Sequence, residues 1–354
     1  AMSTDDRTLM VEAIGLAARH WPHPNPRVGA IVVASSGAIV GRGAHVAAGE
    51  PHAEAVALAE AGERSAGGTL VVTLEPCSHH GRTSPCTEGV IAAGFKRVVI
   101  GAIDPDRRVA GTGVAALEAA GIDVVIGVDG LDAEALDPGY FHHRRTGRSR
   151  VTLKMAATLD GQAGAADGGS QWITSEEARS DVHDLRAHSD AVLVGGGTML
   201  LDDPRLTARG PDAPGDRPLP VIVAGERALD PTARLFTRPC LVYAPTPLDL
   251  PETATVVELP GPGGVDLAGM LDDLGERGIV DLLVEGGPTI AGSLLRGGLV
   301  DRIVWYVGAA VAGGVGRPAG GGSFPSMDAL RPVEIVAVDR IGPDVRIEAV
   351  MGAT

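Results

Sequence analysis

The sequence predicts an α/β protein of two domains, and three observations support this prediction. Short apolar runs that suit buried strands alternate with segments of helical spacing along most of the chain. The length of 354 residues exceeds that of a usual single domain. The alternation is interrupted at residues 144–150, a basic stretch rich in turn-forming residues. We therefore expect one domain over residues 2–146 and a second over residues 147–354.

In the first half, apolar residues at helical spacing predict a helix over residues 8–19, which ends before Trp21-Pro22. A strand pair is expected around the turn Ser35-Ser36-Gly37. Pro51 stands where helices often begin, and a helix is expected from Ala53. The remaining elements are a buried strand at 70–74, a helix at 87–93, a strand at 98–103, a helix at 113–120 and a strand at 123–126.

The second half begins with a predicted strand at 151–155, a helix at 175–187 and a very apolar strand at 191–194. Further strands are expected at 220–223, 241–243, 282–284 and 302–307, followed by a C-terminal pair. Open α/β sheets receive ligands at the carboxyl ends of their strands. The turns that follow these strands are therefore where we expect the sites.

Composition and charge narrow the class of protein. A net charge of −15 argues against a nucleic-acid-binding surface, for which a basic footprint is expected. Three cysteines in this length fit a reducing compartment, and Cys240 is expected to be a buried, inert thiol. No apolar signal region or uninterrupted 18-residue apolar span is seen, so we expect a cytoplasmic protein.

The strongest chemical signal is His52-Ala53-Glu54, followed by Pro76-Cys77 and Cys86. One histidine and two thiolates can hold Zn²⁺ with one position open, and the metal then lowers the pKa of a bound water. Glu54, two residues from His52 at a helix start, would be the catalytic proton carrier. The alternatives are a structural zinc site, which a fourth Cys or His usually closes, or ordinary buried residues.

The residues around this motif carry a family resemblance. Residues 23–29, 49–54 and 75–83, with eight residues between the two cysteines, resemble the deaminase domain of the bifunctional riboflavin-biosynthesis enzymes. That resemblance implies a cytidine-deaminase-like α/β/α domain in which His52, Cys77 and Cys86 bind zinc. It also implies that Asn25 holds the pyrimidine and that His79 and Arg82 lie near the substrate and its phosphate. From the residues alone, Asn25 could equally be a turn residue.

A second signal is the turn Gly286-Gly287-Pro288-Thr289, which follows a buried strand and opens a helix. Free backbone N–H groups and the helix dipole can receive a phosphate there, and we expect a side chain at Gly287 to intrude on that phosphate or force the turn open. The sequence is not G-x-G-x-x-G, so it does not indicate a Rossmann fold. A plain strand-to-helix turn is the alternative. The run Gly195-Gly196-Gly197-Thr198 offers a second close approach of the backbone.

Residues 154–161, 170–174, 202–207 and 284–289 resemble the reductase domain of the same family, which has a dihydrofolate-reductase-like α/β fold. The resemblance implies NADPH contacts at Ala156, Trp172, Thr198, Asp202, Gly287, Pro288, Thr289, Ile290, Ala291, Gly292 and Ser293. It implies substrate contacts at Ser170, Arg186, Leu206, Arg209 and Glu285, with Lys154 as the polar candidate near the hydride path. Guanidinium groups pair with phosphate bidentately, which suits Arg186 and Arg209. Without the resemblance, Asp202 would be a turn former before Pro204.

Together the two resemblances predict two consecutive reactions of riboflavin biosynthesis. The first is zinc-dependent deamination of 2,5-diamino-6-ribosylamino-4(3H)-pyrimidinone 5′-phosphate. The second is NADPH-dependent reduction of 5-amino-6-(5-phosphoribosylamino)uracil to the ribityl product. We expect a phosphorylated pyrimidine riboside as partner, no nucleic acid or membrane, and a homo-oligomer, either dimer or tetramer. The alternatives are a zinc deaminase of tRNA or a free base with a divergent second domain, or a non-catalytic protein that binds zinc and nucleotide.

Overall fold

A computed structural model describes residues 4–79, 84–165, 172–209, 217–225, 228–314, 317–320 and 326–352. Two of the predicted substrate contacts, Arg82 and Ser170, lie outside the described residues. The chain divides into two compact units, Ala1–Gly147 and Arg148–Thr354. Within the described residues, no helix combines the length and apolar character that crossing a membrane would require.

The first unit is built on a mixed sheet. Its strands are β1 (Gly29–Val33), β2 (Ile39–Ala44), β3 (Thr69–Leu74), β4 (Arg97–Ala102) and β5 (Asp123–Ile126). Its helices are α1 (Thr4–Ala17), α2 (Ala53–Ala61), α3 (Cys86–Ala92), α4 (Thr112–Ala119), α5 (Gly130–Leu136) and α6 (Pro138–Thr146). The strand order is β2-β1-β3-β4-β5, in which β1 is antiparallel to β2 and β3, while β3, β4 and β5 are parallel.

Two glycines of β2 allow α2 to pack directly on the sheet. A Cβ on Gly43 would lie 2.1 Å from the Ala53 carbonyl oxygen, and one on Gly41 would lie 2.1 Å from that of Ala57. Alanines at positions 53, 57 and 61, four apart and all buried, give α2 the smooth face that this contact needs. The start of α2, with His52 and Glu54, is thereby fixed against the sheet.

The second unit contains a larger sheet. Its strands are β6 (Arg150–Thr158), β7 (Ala191–Gly195), β8 (Leu219–Val223), β9 (Cys240–Ala244), β10 (Ala254–Glu258), β13 (Asp281–Val284), β14 (Arg302–Gly308), β15 (Val333–Ile341) and β16 (Asp344–Met351). The pair β11 (Pro260–Gly261) and β12 (Gly264–Val265) stands apart. The helices are α7 (Glu176–Ala187), α8 (Gly196–Asp202), α9 (Leu267–Glu276) and α10 (Pro288–Gly297).

In the described residues this sheet has the order β10-β9-β8-β7-β13-β6-β14-β16-β15. The strands from β10 to β14 are parallel, and β16 and β15 are antiparallel additions at one edge. Strand β7 contributes to a hydrophobic cluster on each face of the sheet, with Ala191 and Leu193 in one and Val192 and Val194 in the other. Because both faces are covered, its sequence is a continuous apolar run.

The structure corrects one element of the prediction. Residues 144–146 were expected to be part of a turn-rich seam, but they end helix α6. Asp137 caps this helix by accepting the Tyr140 backbone N–H, Pro138 occupies its first turn, and Gly147 ends it at φ 82°. Basic residues in the last helical turn interact favourably with the helix dipole, which explains a basic cluster without a turn.

Candidate zinc site and reductase groove

The three predicted metal ligands lie together. Nδ1 of His52 and the two cysteine sulfurs are all within 4.8 Å of one another. His52 Nδ1 is 3.2 Å from Cys86 Sγ and 3.7 Å from Cys77 Sγ. A tetrahedral zinc ion with ordinary bond lengths separates neighbouring ligand atoms by roughly 3.5–3.8 Å. The donor set therefore fits Zn²⁺, with Nδ1 as the nitrogen that faces the metal position.

Three separate elements bring these ligands together. His52 is the N-cap residue of α2, Cys77 follows β3, and Cys86 is the first residue of α3. The Cys86 backbone N–H donates to Cys77 Sγ at 3.3 Å, and the Thr87 N–H donates to the Cys77 carbonyl at 3.1 Å. These bonds hold the start of α3 against the end of β3.

The thiols of the cluster do not behave as two independent groups. The hydrogen bond from Cys86 lowers the pKa of Cys77 to about 4, and His52 contributes in the same direction. The same hydrogen bond between the two cysteine side chains, together with burial, raises the pKa of Cys86. Bonding to Cys77 also raises the pKa of His52. A cation at this position would replace the shared protons, because metal ligands must be deprotonated.

Glu54 lies in the second position of α2, beside the three ligands, and is 4% exposed. Burial raises the pKa of Glu54, and the negative charge of Cys77 adds to the increase. A carboxyl with a raised pKa holds a proton more readily than an ordinary one and can both accept and return it. This environment suits a proton carrier.

His45 connects the predicted pyrimidine-binding residue to the zinc site. It is 2% exposed. Its Nδ1 lies 3.1 Å from the Pro51 carbonyl, and its Nε2 lies 3.0 Å from Asn25 Nδ2. A carbonyl only accepts, so Nδ1 carries the hydrogen and Nε2 accepts the Asn25 amide N–H. This orientation leaves the Asn25 Oδ1 to accept a hydrogen bond from a ligand.

Glu75 is a buried carboxylate that sequence reasoning treated only as part of a motif. Its oxygens accept four backbone N–H groups at 2.8–3.3 Å, those of Asp104, Gly111, Gly113 and Val114. The start of α4 is thus docked on the residue two positions before Cys77. A Cβ on Gly113 would lie 2.1 Å from the Pro76 carbonyl oxygen, so glycine is required there. No pattern in the sequence predicts that these groups bind Glu75, because all of them are backbone N–H groups.

The second unit contains a groove of about 1860 Å³. Among the described residues, eight basic side chains line it: Lys154, Arg179, Arg186, Arg205, Arg209, Arg234, Arg296 and Arg317. The acidic side chains that line it in the described part of the chain are Asp202, Asp203, Asp266 and Glu285. In the whole chain, acidic residues outnumber basic ones by 45 to 30. This local reversal of charge favours anionic ligands.

The turns after β7 and β13 form part of the groove wall. The Gly287 backbone N–H donates to Thr198 Oγ1 at 3.2 Å, which joins the two turns. A Cβ on Gly286 would lie 1.7 Å from Ile290 Cγ2, whereas one on Gly287 would meet only Thr198 Oγ1, at 3.2 Å. We expected Gly287 to be the position where a side chain forces the turn open. The structure assigns that steric requirement to Gly286 instead.

A largely buried ion pair lies beside this wall. Arg186 donates through Nε and Nη2 to the two carboxylate oxygens of Glu285, at 2.5 and 2.9 Å, and through Nη1 to the Thr207 carbonyl at 3.1 Å. Burial alone would raise the pKa of Glu285, but Arg186 and Lys154 outweigh it and lower that pKa. Burial lowers the pKa of Lys154. Three of the five N–H groups of Arg186 are thus already used within the protein.

Comparison with known proteins covers both units. Residues 3–102 match the cytidine and deoxycytidylate deaminase zinc-binding region, and residues 149–347 match the RibD C-terminal domain. The riboflavin biosynthesis protein RibD of Escherichia coli K12 is 40% identical over 98% of this chain and 99% of its own. That of Mycobacterium tuberculosis H37Rv is 41% identical over 99% of both. The chain belongs to the RibD family.

Solved structures of the family agree with this assignment. Acinetobacter baumannii RibD, form 1, superimposes with a TM-score of 0.91 at 35% identity, over 98% of this chain and 99% of its own. The deaminase/reductase of Thermotoga maritima gives 0.89 at 33% identity, with the same coverage. The predicted pair of folds is confirmed. As a RibD protein, the chain is a bifunctional enzyme of riboflavin biosynthesis, a zinc-dependent deaminase joined to an NADPH-dependent reductase.

Most residues that the RibD resemblance assigned to NADPH line the groove. They are Ala156, Trp172, Thr198, Asp202, Gly287, Pro288, Thr289, Ile290 and Ser293. Ala291 and Gly292 do not line it, because both are buried on the core side of α10. The helical period turns consecutive residues to different faces, so a contiguous segment cannot contact one ligand throughout. Trp172 is 70% exposed, and the Arg179 guanidinium lies 4.3 Å from its ring centre.

The residues assigned to the RibD substrates are placed less uniformly. Lys154, Arg186, Leu206, Arg209 and Glu285 all line the groove. The Leu206 side chain is 2% exposed and packs in the core, so a ligand could reach only its backbone. In the first unit, Asn25 is half-buried beside His45, whereas His79 is exposed.

Proposed function

We propose that residues 2–146 deaminate 2,5-diamino-6-ribosylamino-4(3H)-pyrimidinone 5′-phosphate and that residues 147–354 reduce the resulting 5-amino-6-(5-phosphoribosylamino)uracil. The observation that carries the first assignment is the buried Glu54 beside the donor set of His52, Cys77 and Cys86. A structural zinc site would have no use for such a carboxyl. The RibD relatives match nearly the whole chain, so a divergent second domain is not supported.

In the deaminase unit, His52, Cys77 and Cys86 would hold the metal. When bound, Zn²⁺ acidifies water and so makes hydroxide available near neutral pH. Glu54 would take up the proton released from water and deliver it to the ring nitrogen, and would then take up a second proton, from the hydroxyl group added to the ring, and deliver it to the departing amine. Asn25, oriented by His45, offers its Oδ1 to an N–H group of the pyrimidine. The burial that raises the pKa of Glu54 makes both directions of proton transfer accessible.

In the reductase unit, the excess of basic side chains in the groove carries the assignment. NADPH supplies the hydride when bound. The two turns that the Gly287–Thr198 hydrogen bond joins would receive the cofactor, while Arg209 and the Arg186–Glu285 pair would hold the sugar phosphate. Lys154 is the polar side chain that we place nearest to the reacting sugar. Its lowered pKa makes its proton easier to release.

One assay tests both assignments. The purified protein is incubated with the pyrimidine phosphate, first without and then with NADPH, while ammonia release and the absorbance of reduced cofactor are followed. We expect ammonia release without NADPH, and cofactor oxidation only after deamination. Cofactor oxidation with no preceding ammonia release would contradict the proposed order of the two reactions.

We further propose that β15 pairs with a second copy of the chain. It is the edge of the larger sheet, yet Val333, Ile335, Val336 and Val338 are 44–60% exposed. Native edge strands usually carry charges or are covered, because an apolar edge invites association. Val338→Lys should lower the molar mass measured by light scattering, whereas Glu334→Lys on the same strand should not. An unchanged mass for Val338→Lys would exclude this strand as the contact.

A further inference from the structure

His183 is a titratable residue of the groove wall to which the proposed reaction assigns no role. It lies on α7, three residues before Arg186 and four after Arg179, and this spacing turns all three side chains toward the groove. The loop at 203–209 accepts hydrogen bonds from this helix face through the Thr207 carbonyl, and it carries Arg209. His183 is thus one of a cluster of cationic or potentially cationic groups.

The hydrogen bonds of the cluster fix which nitrogen of His183 faces a ligand. His183 Nδ1 and Arg186 Nη1 each lie 3.1 Å from the Thr207 carbonyl oxygen. A carbonyl only accepts, so Nδ1 carries a hydrogen and the neutral ring has its lone pair on Nε2. Within the described part of the chain, Nε2 has no protein partner. It is free to take a proton and donate it to an oxygen in the groove.

The loop that holds the Thr207 carbonyl is itself firmly placed. Asp203 and Leu206 have positive φ values of 37° and 51°, conformations that are unfavourable for residues other than glycine. The buried Leu206 side chain and the bonds from the Arg234 backbone N–H and side chain to Asp203 hold this conformation in place. Such strain is tolerated where the surroundings over-determine the backbone, often at ligand sites.

Three charged groups act on the His183 ring: Arg186 on its own helix, Arg209 of the loop and Glu285 after β13. Burial lowers the pKa of His183, and the two arginines lower it further, so the ring is neutral near pH 7. The charge of Arg186 is already balanced by Glu285. A phosphate dianion that binds nearby would instead raise the pKa of His183, because a nearby negative charge favours the protonated ring.

We propose that His183 is an additional contact for the 5′-phosphate of the reductase substrate and takes up a proton when that phosphate binds. The proton comes from solvent and resides on Nε2, where it forms a charge-assisted bond to a phosphate oxygen. This proposal rests on the assignment of Arg186 and Arg209 to the sugar phosphate. It gives the site a cation that is present only when its ligand is present.

Calorimetry with ribose 5-phosphate as the probe tests the proposal. The full chain is titrated with saturating NADPH present, in two buffers of different ionisation enthalpy at pH 7.5, so that proton uptake is measured directly. We expect net proton uptake by the unmodified chain. His183→Gln should abolish this uptake and weaken binding by roughly ten- to a hundredfold, the loss of one charge-assisted bond. His188→Gln, at the exposed end of the same helix, should leave both quantities unchanged.

The outcomes separate this proposal from the substrate assignment. If Arg209→Ala weakens binding but His183→Gln binds with unchanged affinity and proton uptake, the phosphate site stands and the role of His183 is refuted. If ribose 5-phosphate competes with NADPH instead of binding beside it, the groove does not hold cofactor and substrate phosphate at separate positions. Both the assignment of Arg186 and Arg209 to the substrate and the role of His183 are then refuted. Retained NADPH binding by His183→Gln shows that this variant is folded.

Discussion

The zinc cluster concentrates its chemistry in four side chains, whereas the reductase groove distributes its chemistry over backbone turns and many arginines. In the mechanism proposed for the first unit, His52, Cys77, Cys86 and Glu54 each have a separate role. In the second, eight basic side chains share the attraction for anions. We therefore expect a single substitution at the first site to remove most of the deaminase activity, and a single substitution at the second to reduce ligand affinity only in part.

The largest effect is expected from removing a metal ligand. Cys86→Ser should lose the bound zinc, about one per chain, together with deamination, while reduction survives. Cys240→Ser is the matched control, because burial raises the pKa of that thiol to about 11 and it lies in the other unit. Metal analysis and ammonia release measure the outcome. Full zinc content and full deamination in Cys86→Ser would show that the ligand set is wrong.

Glu54→Gln should have the next largest effect. It keeps the shape and hydrogen-bonding capacity of the side chain but removes the proton carrier, a role worth typically about 10²–10⁴-fold in rate. Zinc should remain bound, since Glu54 is not a ligand. Glu60→Gln, at an exposed position of the same helix, should deaminate normally. Near-normal rates of ammonia release in Glu54→Gln would mean that another group moves the proton.

The same contrast explains what the sequence could and could not predict. Cys77 and Cys86 were recognisable because thiolates at that spacing have few other uses. The parallel strands were recognisable because buried strands such as β7 are continuous apolar runs. Glu75 was not, since its four partners are backbone N–H groups far along the chain. The steric requirement for glycine at position 286 rather than 287 was also not recognisable, because it depends on where the Ile290 side chain lies.

Arg186→Ala should test how the groove shares its charge. The substitution removes one of several cations of the groove, and it also leaves the buried carboxylate of Glu285 without its arginine. The apparent affinity for the sugar phosphate should fall roughly ten- to a hundredfold, with cofactor affinity nearly intact. Arg209→Ala, at an exposed position of the same groove, should weaken substrate binding without the stability change described next. Titrations with ribose 5-phosphate and with NADPH distinguish the two ligands. Loss of NADPH binding in Arg186→Ala would reverse the assignment of the two pockets.

The stability of this variant should also depend on pH in a defined direction. Because Arg186 and Lys154 keep the pKa of Glu285 below its ordinary value, the ionised carboxylate stabilises the fold above about pH 4.3. That contribution is lost as pH falls through the lowered pKa. Without Arg186, burial should dominate and raise this pKa, so that the carboxylate destabilises the variant at neutral pH. The difference in Tm from the unmodified chain should therefore be largest near pH 7 and shrink toward pH 4; a constant difference would contradict the coupling.

The smallest effect is expected from Gly287→Ala, compared with Gly286→Ala one position earlier. Gly287 has φ −66°, which any residue adopts, and a Cβ there meets only Thr198 Oγ1, so the fold should tolerate alanine. NADPH affinity should fall roughly two- to tenfold, the worth of one neutral hydrogen bond, because the methyl group intrudes where the cofactor approaches. Gly286→Ala must instead displace Ile290, and overpacking of this kind costs about 1–3 kcal/mol of stability. Fluorescence titration with NADPH and thermal unfolding of both variants separate the two effects. If Gly287→Ala lowers Tm and leaves NADPH affinity unchanged, this turn serves the fold and not the cofactor.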